Sequence, residues 1–368
     1  MERKKFIIII ITLNVLASIA CWSEPSLEGR ALVELEGKSA KVVVDLGGGG
    51  IVDFHIIGHG LNPLTWNYPE KGDLKPRSIG HFICFDRLGR STPQELKNGM
   101  SNHGEAAWIQ WQILSKPVKI NGKIISEMLC ELPIAGMKLK RTIGLFENEP
   151  VIIVKEEITN MNKLGKVYNI VQHSAMAPPF LDESVLIDIN ATKGFAAGNP
   201  FPAFEEPAFY WPKVVHSGEF SDLRLLISQP APGVANFIFS DDAEYGWVTV
   251  CNPGKGLMMG YFWKLSDYPW IRIWRSFKEG RPVALGPEFA TTCLPLPFEQ
   301  IIAKKEIFSR PVYEYLDAGE TVEKSYTAFL TRIPADYKGV ADIQFKDGTI
   351  ILNEHGGDAS RDIIVKIK

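Results

Sequence analysis

The residue pattern of this chain calls for a mainly β protein, an antiparallel sandwich-like architecture around one core. Short segments of alternating apolar and polar residues recur from one end to the other, and Gly, Pro, Asn or Asp bounds each of them. No window of helical period with matching caps rises above this background, and strands not regularly separated by helices speak against a parallel βαβ sheet. The content of 32 Gly, 24 Pro and 11% aromatic residues fits many short strands. In order, the predicted strands cover 41–45, 108–114, 139–145, 151–158, 223–227, 247–251, 270–274 and 320–330. Asp347-Gly348 then marks a type I′ hairpin turn between 343–345 and 349–352, and 363–367 makes a final strand.

The chain has 368 residues, long for one domain yet within reach of a large sandwich. Its 45% apolar and 23% charged residues exclude global disorder, and a net charge of -3 offers no basic field for nucleic acid. Arg3, Lys4 and Lys5 precede an apolar run over 6–20 that ends in the small residues Ser18 and Ala20, the pattern of a signal peptide. The run is shorter than a membrane-spanning helix requires. Residues 1–23 are therefore expected to direct export, with the protein periplasmic or lipid-anchored to the cell envelope. Cys21 follows Ala20 and fits the lipid-modified first residue of a lipoprotein; Ser18 stands where such signals usually carry Leu, which fits plain secretion. Residues 24–340 are assigned to the sandwich and 341–368 to a C-terminal β-hairpin appendage. Cys84, Cys130, Cys251 and Cys293 have neither C-x-x-C nor zinc spacing and read as buried thiols.

The irregular stretch 175–212 is rich in Pro, Gly and aromatic residues, including Phe180, Phe201, Phe204 and Trp211. Such rings either meet the apolar faces of sugars or plug the end of a sandwich. Three titratable residues stand in turn-like contexts near strand ends. They are His103 in Asn102-His103-Gly104, His173 in Val171-Gln172-His173-Ser174, and Glu288 in Gly286-Pro287-Glu288-Phe289. A histidine at a loop edge can move a proton near neutral pH, and a glutamate flanked by Pro and Phe has its pKa raised by desolvation. Taken one by one, each signal is weak, since a lone His is more often a hydrogen-bonded structural residue and a lone Glu is usually solvated.

Their order makes the combination sharper. The Gly47–Gly50 run leading to Asn62-Pro63-Leu64, the Asn102-His103-Gly104 motif, the 151–160 segment before His173, Gly286-Pro287-Glu288, and Asp317-Ala318-Gly319-Glu320 leading to Tyr326 together resemble the galactose mutarotase (aldose 1-epimerase) superfamily. The resemblance spans roughly 40–332. It implies a twisted super-sandwich of antiparallel strands with an open sugar-binding cleft, and an activity that interconverts sugar anomers by acid–base ring opening. By the same resemblance Glu288 is the base, His173 the acid, and His103 holds the ring-oxygen region; no metal or organic cofactor is implied. The substrate-binding set is expected to be Arg87, with Arg90 the other choice, together with Glu105, Asp267 and Trp211. The chain departs from the pattern at Glu105-Ala106, where many mutarotases have another Gly, and at Phe85-Asp86-Arg87-Leu88-Gly89-Arg90, which replaces the usual Arg motif. These departures fit a modified sugar, a sugar acid or an oligosaccharide end as well as a simple hexose. A non-catalytic carbohydrate-binding envelope protein is the alternative, and a polysaccharide lyase a third, though the chain offers no helical segment for a toroid domain.

Overall fold

The computed structural model describes residues 26–197, 208–216 and 218–367. Residues 1–23 with Cys21, and Phe201 and Phe204 of the aromatic stretch, lie outside them. Two large antiparallel sheets form the body. The ten-stranded sheet runs Leu32–Glu36, Ala40–Asp45, Gly50–Ile56, His81–Phe85, Ile170–Ser174, Arg281–Ala290, Trp270–Lys278, Val234–Phe239, Ala191–Ala196, Ala208–Tyr210. The eight-stranded sheet runs Leu186–Ile189, Tyr245–Asn252, Leu257–Lys264, Thr321–Arg332, Val151–Asn160, Met137–Phe146, Lys123–Leu132, Gln112–Ile120.

The main apolar core lies between the two sheets, where Ile83, Phe85, Phe289, Ile271 and Ile273 of one meet Val154, Met259, Tyr261 and Ala328 of the other. Side chains alternate across a strand, so the neighbours of these residues face the opposite side of the ten-stranded sheet. There Phe82, Cys84, Val171, Trp270 and Ala290 form a second cluster. A period-2 strand buried on both sides shows no polar face, and His81–Phe85 and Ile170–Ser174 are buried at every position. Two-sided burial is what lets one sheet have a packed back and a functional front.

A polar network crosses the core behind that front. Arg141 pairs with Glu156 at 2.8 Å, Gln172 Nε2 donates to Glu156 at 2.5 Å and to the Tyr268 hydroxyl at 3.0 Å, and His81 Nε2 lies 3.2 Å from Gln172 Oε1. Arg141 and Glu156 are both 1% exposed. Removing either would strand a buried charge, which costs several kcal/mol, about 3–5.

The C-terminal strands Val340–Lys346, Thr349–Glu354 and Ile363–Lys366 make a separate three-stranded antiparallel sheet. Asp347 and Gly348 both have positive φ, as a two-residue type I′ turn requires. Ile343, Ile350, Leu352 and Val365 cover Trp247, Phe262 and Phe329 on the outer face of the eight-stranded sheet.

Two expectations differ. Residues 223–227 form turns with a single bridge from Leu225 to Leu186, because Leu223 and Leu226 plug the core from a loop. In 108–114 a 3-10 turn over Ala106–Trp108 comes first, and the strand starts only at Gln112. Among the described residues two short α-helices also occur, Pro93–Lys97 and Phe298–Lys304. The first carries a signal readable in sequence: Thr92 and Glu95 form a reciprocal capping box with Pro at the helix start.

Candidate active site

Four adjacent strands carry one row of side chains across the front of the ten-stranded sheet. Phe82 is paired with His173, Gln172 with Phe289 (which sets His173 beside Glu288), and Glu288 with Arg272. Cross-strand neighbours on one face stand about 5 Å apart, so register alone brings this aromatic ring, imidazole, carboxylate and guanidinium into contact. Gly286 sits two residues before Glu288 on the same face. A Cβ there would lie 3.0 Å from the Trp274 ring and 3.2 Å from Glu288 Oε1, so the glycine leaves room for both.

His173 Nε2 lies 3.1 Å from Glu288 Oε1, and Arg272 Nε lies 3.2 Å from Oε2. The second contact is an ion pair without a well-aligned hydrogen bond, while Arg272 Nη1 donates to the Cys293 carbonyl at 3.0 Å. Among the described residues, the buried His173 Nδ1 has no hydrogen-bond partner. The imidazole stacks on Phe82 with centroids 4.4 Å apart and meets Trp274 edge-on at 5.4 Å. His103 stands across from it, ring centroids 5.2 Å apart and nearly perpendicular.

His103 comes from a loop rather than a strand. Its backbone has φ +65°, held by its N–H donating to Gly89 O at 2.9 Å and its carbonyl accepting from Phe85 N–H at 3.3 Å. A left-handed conformation at a non-glycine residue is uncommon and clusters at functional sites.

Burial dominates the electrostatics. It pushes Glu288 above the usual carboxylate range, with the Arg272 charge pulling the other way. Burial, helped by the positive charge of Arg272, lowers His173 to about 3. His103 is likewise lowered to about 3 by burial and by His173. Both imidazoles are therefore neutral at pH 7 and present N–H donors and lone pairs rather than positive charge.

These groups open into a cavity of about 540 Å³ lined by Trp66, Arg90, His103, His173, Arg272, Trp274 and Glu288. That volume suits a small ligand. Trp66 and Trp274 meet at 86° with centroids 5.6 Å apart and form an aromatic corner beside the imidazoles.

Of the residues expected from sequence, His103, His173 and Glu288 converge here. Four others lie elsewhere. Arg87 turns away from the cavity to pair with Glu95 at 3.1 Å, the residue that caps the short helix; Arg90 lines the cavity instead. Glu105 accepts from the backbone N–H groups of Ile134 and Ala135 at 3.0 and 2.7 Å, tying two turns together. Asp267 accepts from Ser325 N–H at 3.0 Å. Trp211 packs edge-on against Phe237 at 5.4 Å, so this ring of the aromatic stretch is core packing. Phe180 and Phe209 are also buried in the main core.

Arg272, Trp66 and Trp274 were missed. The alternation in Trp270-Ile271-Arg272-Ile273-Trp274 is a signal that would have found two of them, since it sets Trp270, Arg272 and Trp274 on one face.

No protein-family model and no curated protein sequence matches the chain. Solved structures do. A galactose mutarotase-like protein from Clostridium acetobutylicum superposes with a TM-score of 0.63 at 14% identity, covering 83% of this chain and 96% of that one. A galactose mutarotase related enzyme from Lactobacillus acidophilus gives 0.58 at 10% identity, covering 83% and 98%. A galactose mutarotase-like protein from Lactobacillus casei gives 0.56 at 13%, covering 82% and 100%. The fold is the galactose mutarotase-like sandwich, carried by a chain that shares 14% or less of its sequence with each of these.

Proposed function

We propose that the protein is an aldose 1-epimerase-like enzyme that interconverts the anomers of a sugar or sugar derivative. The observation that carries this reading is the 3.1 Å contact between His173 and Glu288 at the wall of an aromatic-cornered cleft. The anomeric hydroxyl and the ring oxygen of an aldose share one carbon, so a base and an acid in contact with each other can serve both. Glu288 takes the proton of the anomeric hydroxyl, whose electrons form the carbonyl as the bond from C1 to the ring oxygen breaks. Through Nε2, the nitrogen that touches Glu288, His173 gives a proton to the ring oxygen as it takes one from Glu288. The net change is one proton moved between two oxygens of the sugar, with the enzyme unchanged. Rotation about the bond from C1 to C2 and the reverse steps give the other anomer. Arg272 opposes the upward push of burial on Glu288, His103 donates to the ring-oxygen region, and Trp66 with Trp274 covers the apolar face of the ring.

The test is anomer exchange, followed by NMR or polarimetry from fresh α-glucose, α-galactose and a panel that includes uronic acids. Wild-type protein is expected to accelerate exchange of at least one sugar, and Glu288→Gln to reduce that acceleration by about 100-fold or more. Sugar binding without acceleration across the panel would return the chain to a carbohydrate-binding protein. The enzyme is further proposed to work in the cell envelope. If Cys21 carries lipid, Cys21→Ser moves the protein from the membrane fraction to the soluble one; an unchanged soluble protein in both cases supports plain secretion.

A further inference from the structure

The cleft histidine His103 has a partner that the acid–base chemistry does not use. Cys84 lies on His81–Phe85, two residues from Phe82 on the same face, and its Sγ is 3.2 Å from His103 Nδ1. The thiol is 1% exposed, and the imidazole nitrogen is its one hydrogen-bond partner among the described residues. The His103 ring is held on other sides by Phe82, edge-on at 5.6 Å, and by His173. Its backbone is fixed by Gly89 and Phe85. Among the described residues, this leaves the Nε2 edge for the cavity that His103 lines.

We infer that Cys84 is a positioning residue that sets the tautomer of His103: its S–H donates to Nδ1, so the ring carries its proton on Nε2 and faces the sugar as a donor. A neutral imidazole has one donor and one acceptor nitrogen, and the bond made by the hidden nitrogen decides which one the ligand meets. The thiol keeps its proton, because burial and the nearby carboxylate of Glu288 raise it well above its usual range. A buried S–H with one nitrogen in reach places its hydrogen there. With the opposite tautomer, His103 would offer the ring oxygen a lone pair, two acceptors face to face.

The activity arm of this inference rests on the anomer-exchange reading; the tautomer arm does not. The full chain, labelled with ¹⁵N, gives imidazole spectra in which His103 is assigned by its loss in His103→Gln. Wild-type His103 is expected as the Nε2–H form. Cys84→Ala removes the donor, so the Nδ1–H form appears and exchange of the best sugar falls by about tenfold. Cys84→Ser restores a donor, returning the Nε2–H form and exchange to within about threefold of wild type. An Nδ1–H ring in wild type, or an unaltered tautomer in Cys84→Ala, overturns the inference even if the protein turns over no sugar. Should Cys84→Ala fail to fold, the wild-type and Cys84→Ser spectra still decide it.

Discussion

Glu288 is held by two different hands, an imidazole on one oxygen and a guanidinium on the other, and the difference is chemical. His173 offers a partner through which a proton can pass; Arg272 offers a charge that never leaves. Because Arg272 opposes the upward push of burial on Glu288, its removal raises that carboxyl further. In Arg272→Gln the acidic limb of the profile of kcat/KM against pH is expected to move to higher pH by about 1–3 units. A profile that keeps its limb while kcat/KM falls uniformly would assign Arg272 to packing. The aromatic corner is a separable function: Trp274→Ala should raise KM more than it lowers kcat, since the ring binds ground and transition states alike.

At the scale of elements, the site depends on a loop as much as on strands. Gly104 follows His103 with φ +81°, and a Cβ there would lie 1.8 Å from the Phe85 carbonyl oxygen. Gly104→Ala must therefore break the bridge between Gly104 and Phe85 and move His103. The expected outcome is a loss of about 2 kcal/mol or more in urea melts, with His103 line positions altered. This division also explains what the sequence made legible. His103, His173 and Glu288 could be named because each stands in a motif whose order along the chain is distinctive. Local alternation puts Arg272 and Trp274 on one face, but only the pairing of 270–278 with 281–290 shows that this face carries Glu288, and Trp66 stands in a turn outside both strands. Arg87 and Arg90 sit in one motif, which does not separate them. What separates them is the capped helix at Pro93–Lys97, whose Glu95 takes the Arg87 guanidinium. Strand positions were legible where alternation was clean; at 223–227 the same apolar residues belong to a turn, since two leucines can fill a core without a strand around them.

For the whole molecule, buried imidazoles set the response to acid. His81, His103 and His173 are each depressed by burial to about 3. Depressed groups contribute stability that is full above the unfolded value near 6.5 and is lost as pH falls toward 3, because the unfolded chain takes up protons that the native chain refuses. Asp86, raised by burial to about 6, works in the opposite sense between its folded and unfolded values. The contribution of one imidazole is therefore best read as a difference. In His81→Asn the loss of stability between pH 6 and 4 should be shallower than in wild type by up to about 1.4 kcal/mol per pH unit, measured by urea melts. Equal slopes would mean His81 titrates normally.

The row Phe82, His173, Glu288 and Arg272 has a further consequence in time. Its neighbours in space come from strands separated by long stretches of chain, His81–Phe85 beside Ile170–Ser174 beside Arg281–Ala290. Closing such loops costs entropy before any contact repays it, so contacts of this kind slow folding. The row can exist only after residue 288 has left the ribosome and the sheet has zipped across its middle. A chain arrested earlier has His173 against Phe82 but without Glu288 and Arg272 beside it, and it leaves the edge of Ile170–Ser174 open to self-association until its last central strand arrives.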